Sequence, residues 1–460
     1  MKSSICFIAN FSKTYFFHAI AQELINHKLD IYWVCSNQKL NDFLLAHYPT
    51  SNIFYFNRNR IGKVHTAIDD FKINELLYGD RVLKHDKEEG QQLLTNIQAP
   101  IYQFLKVNQI SYVFGELTWA HEVLIFRMIQ KRKELNCQFL NPHVVRIPND
   151  RFAFFNDENQ SQFLDLPKTE ANFSEIIKIR KPDYLKINDQ RLKEASSVWG
   201  RLDRIKRLIT NENMDRKDPT HLSNPKARFS TRSKEEWYRE TYKSIERKSF
   251  DLFKGQKYVF IGLHKQPEAS VDVFGRYVEN QHQNIMDIWR VLPPGWQLLV
   301  KEHSNAIGDR SPQFYKSLAD LPNVHFIHEK TDSYQVIHAA QLVVTITGTI
   351  AYEAALMQVP AFTFAPTFFN RLNCCRHITV QDLNRCSSLQ ELIDELKAQE
   401  DNRLDFSNYL FNHSFPGIFS DPVSNPAILN EDNVITVSKA FVKVIKGKEE
   451  RVMPTYTTQS

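Results

Sequence analysis

Short apolar runs alternate in the first part of the chain with stretches whose apolar residues recur at helical spacing. The runs predict strands at 5–9, 29–34, 53–56, 110–114 and 138–140. The helical spacing predicts helices at 16–25, within 64–109 and at about 119–133. Residues 144–155 predict an extended excursion. Such alternation is typical of a parallel sheet that helices cover on both faces.

The same alternation returns in the last 200 residues or so, where the apolar runs are short and bounded by turn residues. The runs predict strands at 257–262, 296–300, 324–327, 342–346 and 361–364. The helical spacing predicts helices at 280–291, 333–340, 350–357 and 433–446. We therefore expect a second α/β unit.

The middle of the chain departs from both patterns, because it is rich in charge and in turn formers. This change of composition predicts four parts. They are an N-terminal Rossmann-like domain at 1–170, a basic linker or helical insertion at 171–250, a C-terminal Rossmann-like domain at 251–430, and a helix with a tail at 431–460.

Charge is concentrated in that middle part. The chain of 460 residues has a formal net charge of +5, and residues 201–250 hold 14 Lys and Arg against 8 Asp and Glu. A nucleic-acid-binding protein would spread positive charge over a whole domain, so we do not expect nucleic acid as a partner. An anionic lipid surface or an acidic polymer is an expected partner of the basic segment, and a solvated loop is the alternative.

Compartment and class follow from other features of the composition. Aromatic residues make up 12% of the chain, which argues against disorder as its main state. The sequence has no apolar run of membrane-spanning length, and its start is too short and polar for a signal peptide. Its six Cys form no Cys-x-x-Cys pair. We therefore expect a cytoplasmic protein.

Polar residues gather where three predicted strands of the C-terminal half end. They lie at 264–268, at 301–303 and at 345–349, with Glu353 one helical turn beyond the last group. Ligands of parallel α/β sheets bind beyond the carboxyl ends of the strands. Three such groups on one sheet predict a ligand site there.

The third group has the clearest chemistry. Gly348 would let a ligand approach the backbone, and Thr347 and Thr349 add hydroxyl donors at the N-terminus of a helix, which favours an anion such as phosphate. Glu353 would accept hydrogen bonds from a ribose, and Lys301 would contact a phosphate or carboxylate. An ordinary capped helix is the alternative interpretation.

His303 alternates with Lys301 along the predicted strand and is a second candidate for the anion. Acid–base chemistry has candidates in both halves. His264 and Glu268 lie close together with Gln266 between them, and a structural loop is the alternative. Glu116 follows a strand of the N-terminal half, where it would be a base or nucleophile or else a helix-terminal acid.

Two arginines, Arg146 and Arg151, would bind an anionic acceptor or form surface salt bridges. The sequence contains no Asp-x-Asp, which argues against a metal-dependent sugar transferase of the single-sheet kind. It also contains no Gly-x-x-x-x-Gly-Lys-Ser/Thr and no Gly-x-Gly-x-x-Gly, which argues against classical nucleoside-triphosphatase and dinucleotide-binding classes. We expect neither a metal site nor a cofactor.

Five segments carry a resemblance to a known family. They are Leu263-His-Lys-Gln-Pro-Glu268, Asn280-Gln281, Lys301-Glu302-His303, Leu321-Pro-Asn-Val324 and Thr345-Ile-Thr-Gly-Thr-Ile-Ala-Tyr-Glu-Ala354. Together they resemble the capsule polysaccharide biosynthesis family, which includes retaining β-Kdo transferases. The resemblance implies a GT-B-like architecture, in which two Rossmann-like domains face each other across a cleft.

The resemblance also implies a metal-independent glycosyltransferase that moves a sugar from a nucleotide-activated donor, CMP-Kdo for example, onto a surface polysaccharide or glycolipid. Its donor would lie on Gln266, Lys301, His303, Thr347, Gly348, Thr349 and Glu353. His303 departs from the family pattern, which has Pro where this chain has Ser304. The alternatives are a sugar-nucleotide epimerase or hydrolase on the same fold and a non-catalytic assembly protein. A peripheral contact with the inner membrane or with a capsule assembly complex is a further expectation.

Overall fold

A computed structural model describes residues 3–59, 67–165, 173–179, 200 and 215–452 of the 460-residue chain. Within these ranges the strands are Ser4–Ile8 (β1), Asp30–Cys35 (β2), Ile53–Tyr55 (β3), Ile110–Phe114 (β4), Gln138–Val144 (β5), Arg151–Phe155 (β6), Tyr258–Gly262 (β7), Gln297–Lys301 (β8), Val324–Ile327 (β9), Leu342–Thr345 (β10), Ala361–Thr363 (β11), Cys375–His377 (β12) and Phe415–Pro416 (β13).

The strands form two sheets with the same winding. The N-terminal sheet has the order β13-β6-β5-β4-β1-β2-β3, and the C-terminal sheet has the order β12-β11-β10-β7-β8-β9. All neighbours pair in parallel except β5 with β6 and β6 with β13. In each sheet the first three strands in sequence are added outward on one side, and the next three are added on the other side. The order therefore reverses between β1 and β4 in the first sheet and between β7 and β10 in the second.

Helices cover both faces of each sheet. In the N-terminal half they are Lys13–Asn26, Gln38–Leu45, Ile73–Gly79, Lys87–Asn96, Gln98–Val107 and Ala120–Lys131. In the rest they are Pro225–Tyr242, Ala269–Asp272, Gln281–Arg290, Pro312–Ala319, Ser333–Ala339, Thr349–Leu356, Val380–Arg385, Leu389–Lys397, Arg403–His413 and Glu431–Val452. None of the helices in the described ranges is long and apolar enough to cross a membrane.

The apolar runs form strands because both of their faces are buried. All five residues of β1 are buried, with Phe7 and Ile8 contributing to apolar clusters on opposite faces of the sheet. A strand that alternates with water on one side would show polar residues at every second position. The fold is thus the two-domain, Rossmann-like GT-B arrangement that the sequence predicts.

The C-terminal end of the chain returns to the first domain. Phe415 in β13 pairs with Phe152 in β6. In the helix Glu431–Val452, Phe441 is fully buried against the N-terminal sheet, with ring centroids 4.7 Å from Phe114 and 4.9 Å from Phe154. The predicted C-terminal domain at 251–430 therefore extends too far, because the chain from β13 onward completes the N-terminal sheet and its core.

The two domains also share one apolar core beside the cleft. Ile147 and Phe155 of the first domain lie in one cluster with Tyr352 and Phe368 of the second. The Tyr352 hydroxyl donates a 2.8 Å hydrogen bond to the Ile147 carbonyl. This contact fixes how the sheet ends of the two domains approach each other.

The boundaries of the predicted strands agree with the structure to within a few residues. The strands Ile110–Phe114 and Val324–Ile327 lie where the apolar runs predict them, and the predicted excursion at 144–155 contains β6. Much of the predicted linker at 171–250 and the end of the tail, 453–460, lie outside the described residues. The described part of the linker contains the helix Pro225–Tyr242.

Replacing Phe441 by Ala should destabilise the N-terminal domain, although residue 441 lies far from it in sequence. Loss of a fully buried ring costs about 3–5 kcal/mol of unfolding free energy. Urea denaturation followed by circular dichroism measures the loss. Lys446→Ala, an exposed change on the same helix, is the control and should stay within about 0.5 kcal/mol. Equal effects of the two variants would contradict this packing.

Candidate active site

The C-terminal sheet brings two predicted strand-end groups together at its reversal point. His264 lies just beyond β7, and residues 345–348 form the end of β10 and the turn into the helix Thr349–Leu356. The His264 Nε2 atom is 2.7 Å from the Thr345 hydroxyl and accepts 3.3 Å hydrogen bonds from the N–H groups of Ile346 and Thr347. One imidazole therefore holds the whole turn.

These contacts assign a proton state to His264. Because Nε2 accepts hydrogen bonds from two amides, the proton of the neutral ring belongs on Nδ1. Burial, together with the charges of His303 and Arg146, lowers the pKa of His264 to about 3. A neutral ring that accepts hydrogen bonds in this way orients the turn. The sequence analysis had left this structural role of His264 open as the alternative to acid–base catalysis.

Gly348 is required at this turn for a reason that the sequence did not suggest. Its φ of −69° is open to any residue. A Cβ atom added there would lie 2.6 Å from the Thr345 hydroxyl oxygen and 3.3 Å from the His264 ring. The glycine thus lets the turn close onto the imidazole, and approach of a ligand to the backbone remains a separate prediction.

The residues predicted to bind the donor fall into two groups. Some lie near this turn, and the others form hydrogen bonds within the loops. Gly348, Thr349 and Glu353 are half-buried, and Glu353 accepts a 3.4 Å hydrogen bond from Tyr334. The Thr347 hydroxyl is buried and donates to the Ser270 carbonyl at 2.9 Å. The exposed part of the turn is therefore its backbone and the first helical turn.

Lys301 reaches the same region from β8. Its Nζ donates 2.6 Å hydrogen bonds to the Thr331 carbonyl and the Ser333 hydroxyl, and Ser333 is followed by the Tyr334 that contacts Glu353. His303, however, caps a short 3₁₀ helix, where its Nδ1 accepts from the Asn305 amide at 3.2 Å. Lys301 thus holds the segment that leads to Tyr334, the partner of Glu353, whereas β8 ends before His303.

Two other predicted residues lie in the loop after His264. The Gln266 side chain donates to Asp272 at 2.8 Å and accepts from Gln281 at 3.1 Å, so it serves the loop itself. Glu268 accepts from the Ser270 hydroxyl at 2.9 Å and lies near the surface. Their roles in binding and catalysis stay predictions.

A buried ion pair supports His264 from behind. The Glu302 carboxylate is almost fully buried, 2.7 Å from both the Arg310 guanidinium and the Tyr315 hydroxyl. Arg310 also donates to the His264 carbonyl. Glu302 thus has a structural role, while its neighbour Lys301 bonds to Thr331 and Ser333.

The N-terminal sheet has an equivalent group at its own reversal point. Asn10 follows β1 and Glu116 follows β4. The Asn10 amide donates to Glu116 at 3.2 Å and to Glu122 at 3.0 Å. Lys13 forms a 2.6 Å ion pair with Glu116, whose side chain is 19% exposed. Glu116 is therefore the carboxylate of this group that a ligand can reach.

The two carboxyl groups have opposite pKa shifts. Burial raises the pKa of Glu116, but the Lys13 ammonium outweighs this effect and the net pKa is lowered. Burial and the negative charge of Glu116 raise the pKa of Glu122 to about 8. At neutral pH one carboxyl is ionised and the other carries a proton, an arrangement that separates acid and base roles.

Arg146 joins the two groups across the cleft. It follows β5, has a left-handed backbone with φ of 71°, and donates a 2.6 Å hydrogen bond to the Thr347 carbonyl. Burial, to which the positive charge of Arg146 adds, lowers the pKa of His143, in β5, to about 4 and that of His264 to about 3. One guanidinium is therefore within electrostatic reach of a histidine in each domain.

Arg151, the second arginine predicted to bind an acceptor, lies elsewhere. Its guanidinium donates to the Ser414 hydroxyl at 2.9 Å and to the carbonyls of Phe411 and Ser414 at 3.2 and 2.6 Å. It anchors the segment that returns to the first domain. The structure does not bring Arg151 together with Arg146 at the cleft.

Sequence reasoning missed four residues of this site: Asn10, Lys13, Glu122 and His143. Asn10 and Lys13 lie where β1 leads into the first helix. The strand-end rule that finds Glu116 after β4 would also have found them after β1. Glu122 has only the pattern of a helix-terminal acid, and His143 is the last but one residue of a strand. Their proximity to Glu116 depends on the fold.

A cavity of about 440 Å³ opens elsewhere between the domains, beyond β11 and β12. On one side it has a four-charge cluster of Glu75, Arg127, Glu158 and Arg276, and on the other the apolar side chains of Phe364, Pro366, Ile378 and Val380. Among the described residues, no group of three or more His, Cys, Asp and Glu side chains is placed to hold a metal ion.

Gly348→Ala should lower the unfolding free energy by about 1–3 kcal/mol, because the methyl group meets Thr345. Thr345→Ala removes that atom, so the double variant should lose less than the sum of the single losses. Gly447→Ala is the matched control, because its Cβ meets nothing within 4 Å. Urea denaturation measures all four chains; a harmless Gly348→Ala would contradict the packing.

Stability should also depend on pH through Glu122. Its pKa is near 4.5 when unfolded and about 8 when folded, so its contribution is complete below pH 4.5 and is lost as pH rises through 8. Glu122→Gln should remove up to about 1.4 kcal/mol per pH unit of this decline. The slope of unfolding free energy against pH, from urea denaturation between pH 5 and 9, tests it; unchanged slopes would contradict the raised pKa.

Comparisons with known proteins add the following findings. No protein-family model matches the chain, and no curated protein matches it in sequence. Among solved structures, it is similar to the KpsC β-Kdo 2,7 transferase of Thermosulfurimonas dismutans, at 10% identity and a TM-score of 0.39, covering 97% of this chain and 100% of that one.

Two further similar structures have different activities. One is a putative UDP-N-acetylglucosamine 2-epimerase from Listeria monocytogenes, at 11% identity and a TM-score of 0.29, with 98% of each chain covered. The other is CalG4, the calicheamicin glycosyltransferase, at 12% identity and a TM-score of 0.28, covering 99% of this chain and 100% of that one. At such scores the reaction has to be argued from the residues of this chain.

Proposed function

We propose that this protein is a glycosyltransferase that moves a sugar from a nucleotide-activated donor onto a surface polysaccharide or glycolipid acceptor. The observation that carries the proposal is the meeting of two reversal points, with Glu116 on one side, the turn at Gly348 on the other and Arg146 bonded across. A group transfer needs two substrates in one water-poor cleft, and two facing sheets supply one site for each.

The donor would bind the C-terminal side. The half-exposed backbone of Gly348 and Thr349 at a helix N-terminus suits a diphosphate or monophosphate, and Lys301 lies in the same neighbourhood. These groups would stabilise the charge that develops on the leaving phosphate. Glu353, which already accepts a hydrogen bond from Tyr334, would accept another from a ribose hydroxyl.

The acceptor would bind the N-terminal side, with Glu116 as the catalytic carboxylate. The Lys13 ion pair keeps Glu116 ionised, and its partial exposure lets a substrate approach. An ionised carboxylate can accept a proton from a sugar hydroxyl or attack the anomeric carbon. Glu122, protonated behind it, prevents a second negative charge from building up at the same point.

The finer parts of the proposal rest on the resemblance of segments 263–268 and 345–354 to capsule polysaccharide enzymes. They are a CMP-linked acidic sugar as donor, a capsule or other surface glycan as acceptor, and catalysis without a metal ion or cofactor. A cytoplasmic location at the inner face of the plasma membrane belongs with them. The proposal of glycosyl transfer itself does not depend on any of these finer parts.

Replacing Glu116 by Gln should lower acceptor-dependent turnover by about 10²–10⁴-fold, because the base is removed while the shape is kept. Consumption of CMP-Kdo and of UDP-sugars is measured with and without a glycan acceptor, with EDTA present throughout. Glu88→Gln, an exposed change on the helix Lys87–Asn96, is the control. Full activity of the Glu116 variant would exclude the assigned role.

The same preparations separate the alternatives by thermal shift against CMP, CDP, UDP, GDP and ADP. A nucleotide that binds the native state raises the melting temperature, and Glu116→Gln should keep that shift. Donor consumed equally without acceptor would indicate an epimerase or hydrolase. No shift with any nucleotide and no turnover would indicate a non-catalytic assembly protein.

A further inference from the structure

The helix Pro225–Tyr242 is anchored on the C-terminal domain by its second half. Arg239 donates a 3.2 Å hydrogen bond to the Ile307 carbonyl, and Tyr242 is buried. The Glu235 carbonyl lies so close to Gly308 that a Cβ atom there would approach it to 2.8 Å. One side of the helix is thus occupied by the loop that follows β8.

The opposite side of the helix exposes two large aromatic side chains. Phe229 is 61% exposed and Trp237 is 58% exposed. Eight residues separate them, which places both within about 80° on the helix surface. Aromatic rings of this size bury large areas when a partner is present, so two on one exposed face point to a surface that is covered in use.

Cations surround these rings. At 100° per residue, Lys226 lies between the two rings on the helix surface, with Arg232 beyond Phe229 and Lys234 beyond Trp237. Residues 225–234 hold Lys226, Arg228, Arg232 and Lys234 but no acid; the acids begin at Glu235. Glu240, near the far end of the exposed face, is paired with Lys243 at 2.5 Å.

The order of charges along this helix does not stabilise the helix itself. The positive end of the helix dipole lies at the N-terminus, so cations there are unfavourable and acids would stabilise. The first turn contains no acid, and the Asn224 side chain caps it alone by accepting from the amides of Lys226 and Ala227. Arg232 is compensated within the helix by Glu235 at 3.5 Å, and an anionic surface outside the protein would compensate for the placement of Lys226 and Lys234.

We propose that the face formed by Lys226, Phe229, Arg232, Lys234 and Trp237, here called the docking face, binds an anionic lipid bilayer. Phe and Trp enter the boundary of headgroups and acyl chains, and Lys and Arg meet lipid phosphates. An acidic polysaccharide fits less well, because the face is a convex helix surface and a polymer chain needs a groove with polar groups along it. The docking proposal does not depend on glycosyl transfer.

The position of the docking face gives binding a consequence for the cleft. The helix lies on the loop 302–310, and Arg310 of that loop holds the His264 carbonyl. Docking would therefore place the donor side of the cleft beside the bilayer. If the proposed function holds, a lipid-linked acceptor would reach the cleft without leaving the membrane.

The test is co-sedimentation of the full chain with vesicles of phosphatidylcholine alone and of phosphatidylcholine with phosphatidylglycerol. Binding should require the anionic lipid and weaken with salt. Lys226→Glu with Lys234→Glu should lower partitioning at least about tenfold, since each cation near such a surface contributes roughly a fivefold factor. Phe229→Ser with Trp237→Ser should lower it comparably, and Trp237 fluorescence should shift to the blue on binding.

Matched changes elsewhere control for charge and apolarity. Lys87→Glu with Lys106→Glu makes the same charge change on the N-terminal domain, and Val107→Ser removes another exposed apolar side chain. These variants should bind as the parent does, and circular dichroism must show all variants folded. Equal loss in the controls, equal binding to neutral vesicles, or no binding to anionic vesicles would overturn the proposal. The proposal would also be overturned if the variant Lys226→Glu with Lys234→Glu lost binding to soluble alginate but still bound vesicles as the parent does.

Discussion

The hydrogen bond from the Arg146 guanidinium to the Thr347 carbonyl ties the two domains at the point where their sheets end. It works with a second bond in the opposite direction, from the Tyr352 hydroxyl to the Ile147 carbonyl. Both lie at the edge of an apolar core that the domains share, so the facing geometry is fixed by buried contacts. Any chemistry in the cleft depends on this arrangement, because each domain supplies only half of the site.

Burial and nearby positive charge together determine the proton states of the two groups. Burial disfavours the charged form of His264 and of His143, the charge of Arg146 adds to this effect, and Lys13 favours the ionised form of Glu116. The pKa of Glu122 is raised to about 8, so its proton is retained at neutral pH and is lost as the pH rises above that range.

The sequence predicted the fold well because the strand ends follow from local patterns. Apolar runs bounded by turn residues place β4 and β9 to the residue, and the strand-end rule finds Glu116 and the turn at Gly348. What it could not predict depends on partners distant in the chain. Phe415 of β13 pairs with Phe152, and Arg151 donates a hydrogen bond to the same returning segment. Neither β13 nor the role of Arg151 therefore has a signal in the local sequence.

Two sets of charges in this molecule show how placement separates structural from functional roles. In the cluster between the domains, two carboxylates and two guanidiniums form four mixed ion pairs of 2.5–2.8 Å, so each charge is compensated inside the protein. On the helix Pro225–Tyr242, four cations occupy the end where the helix dipole opposes them, and the acids come later. The first set is complete as it stands. In the second, Arg232 is paired with Glu235 at 3.5 Å, whereas Lys226 and Lys234 would gain compensation from an anionic surface. The position of the acids, more than the net charge of the segment, therefore carries the argument for docking.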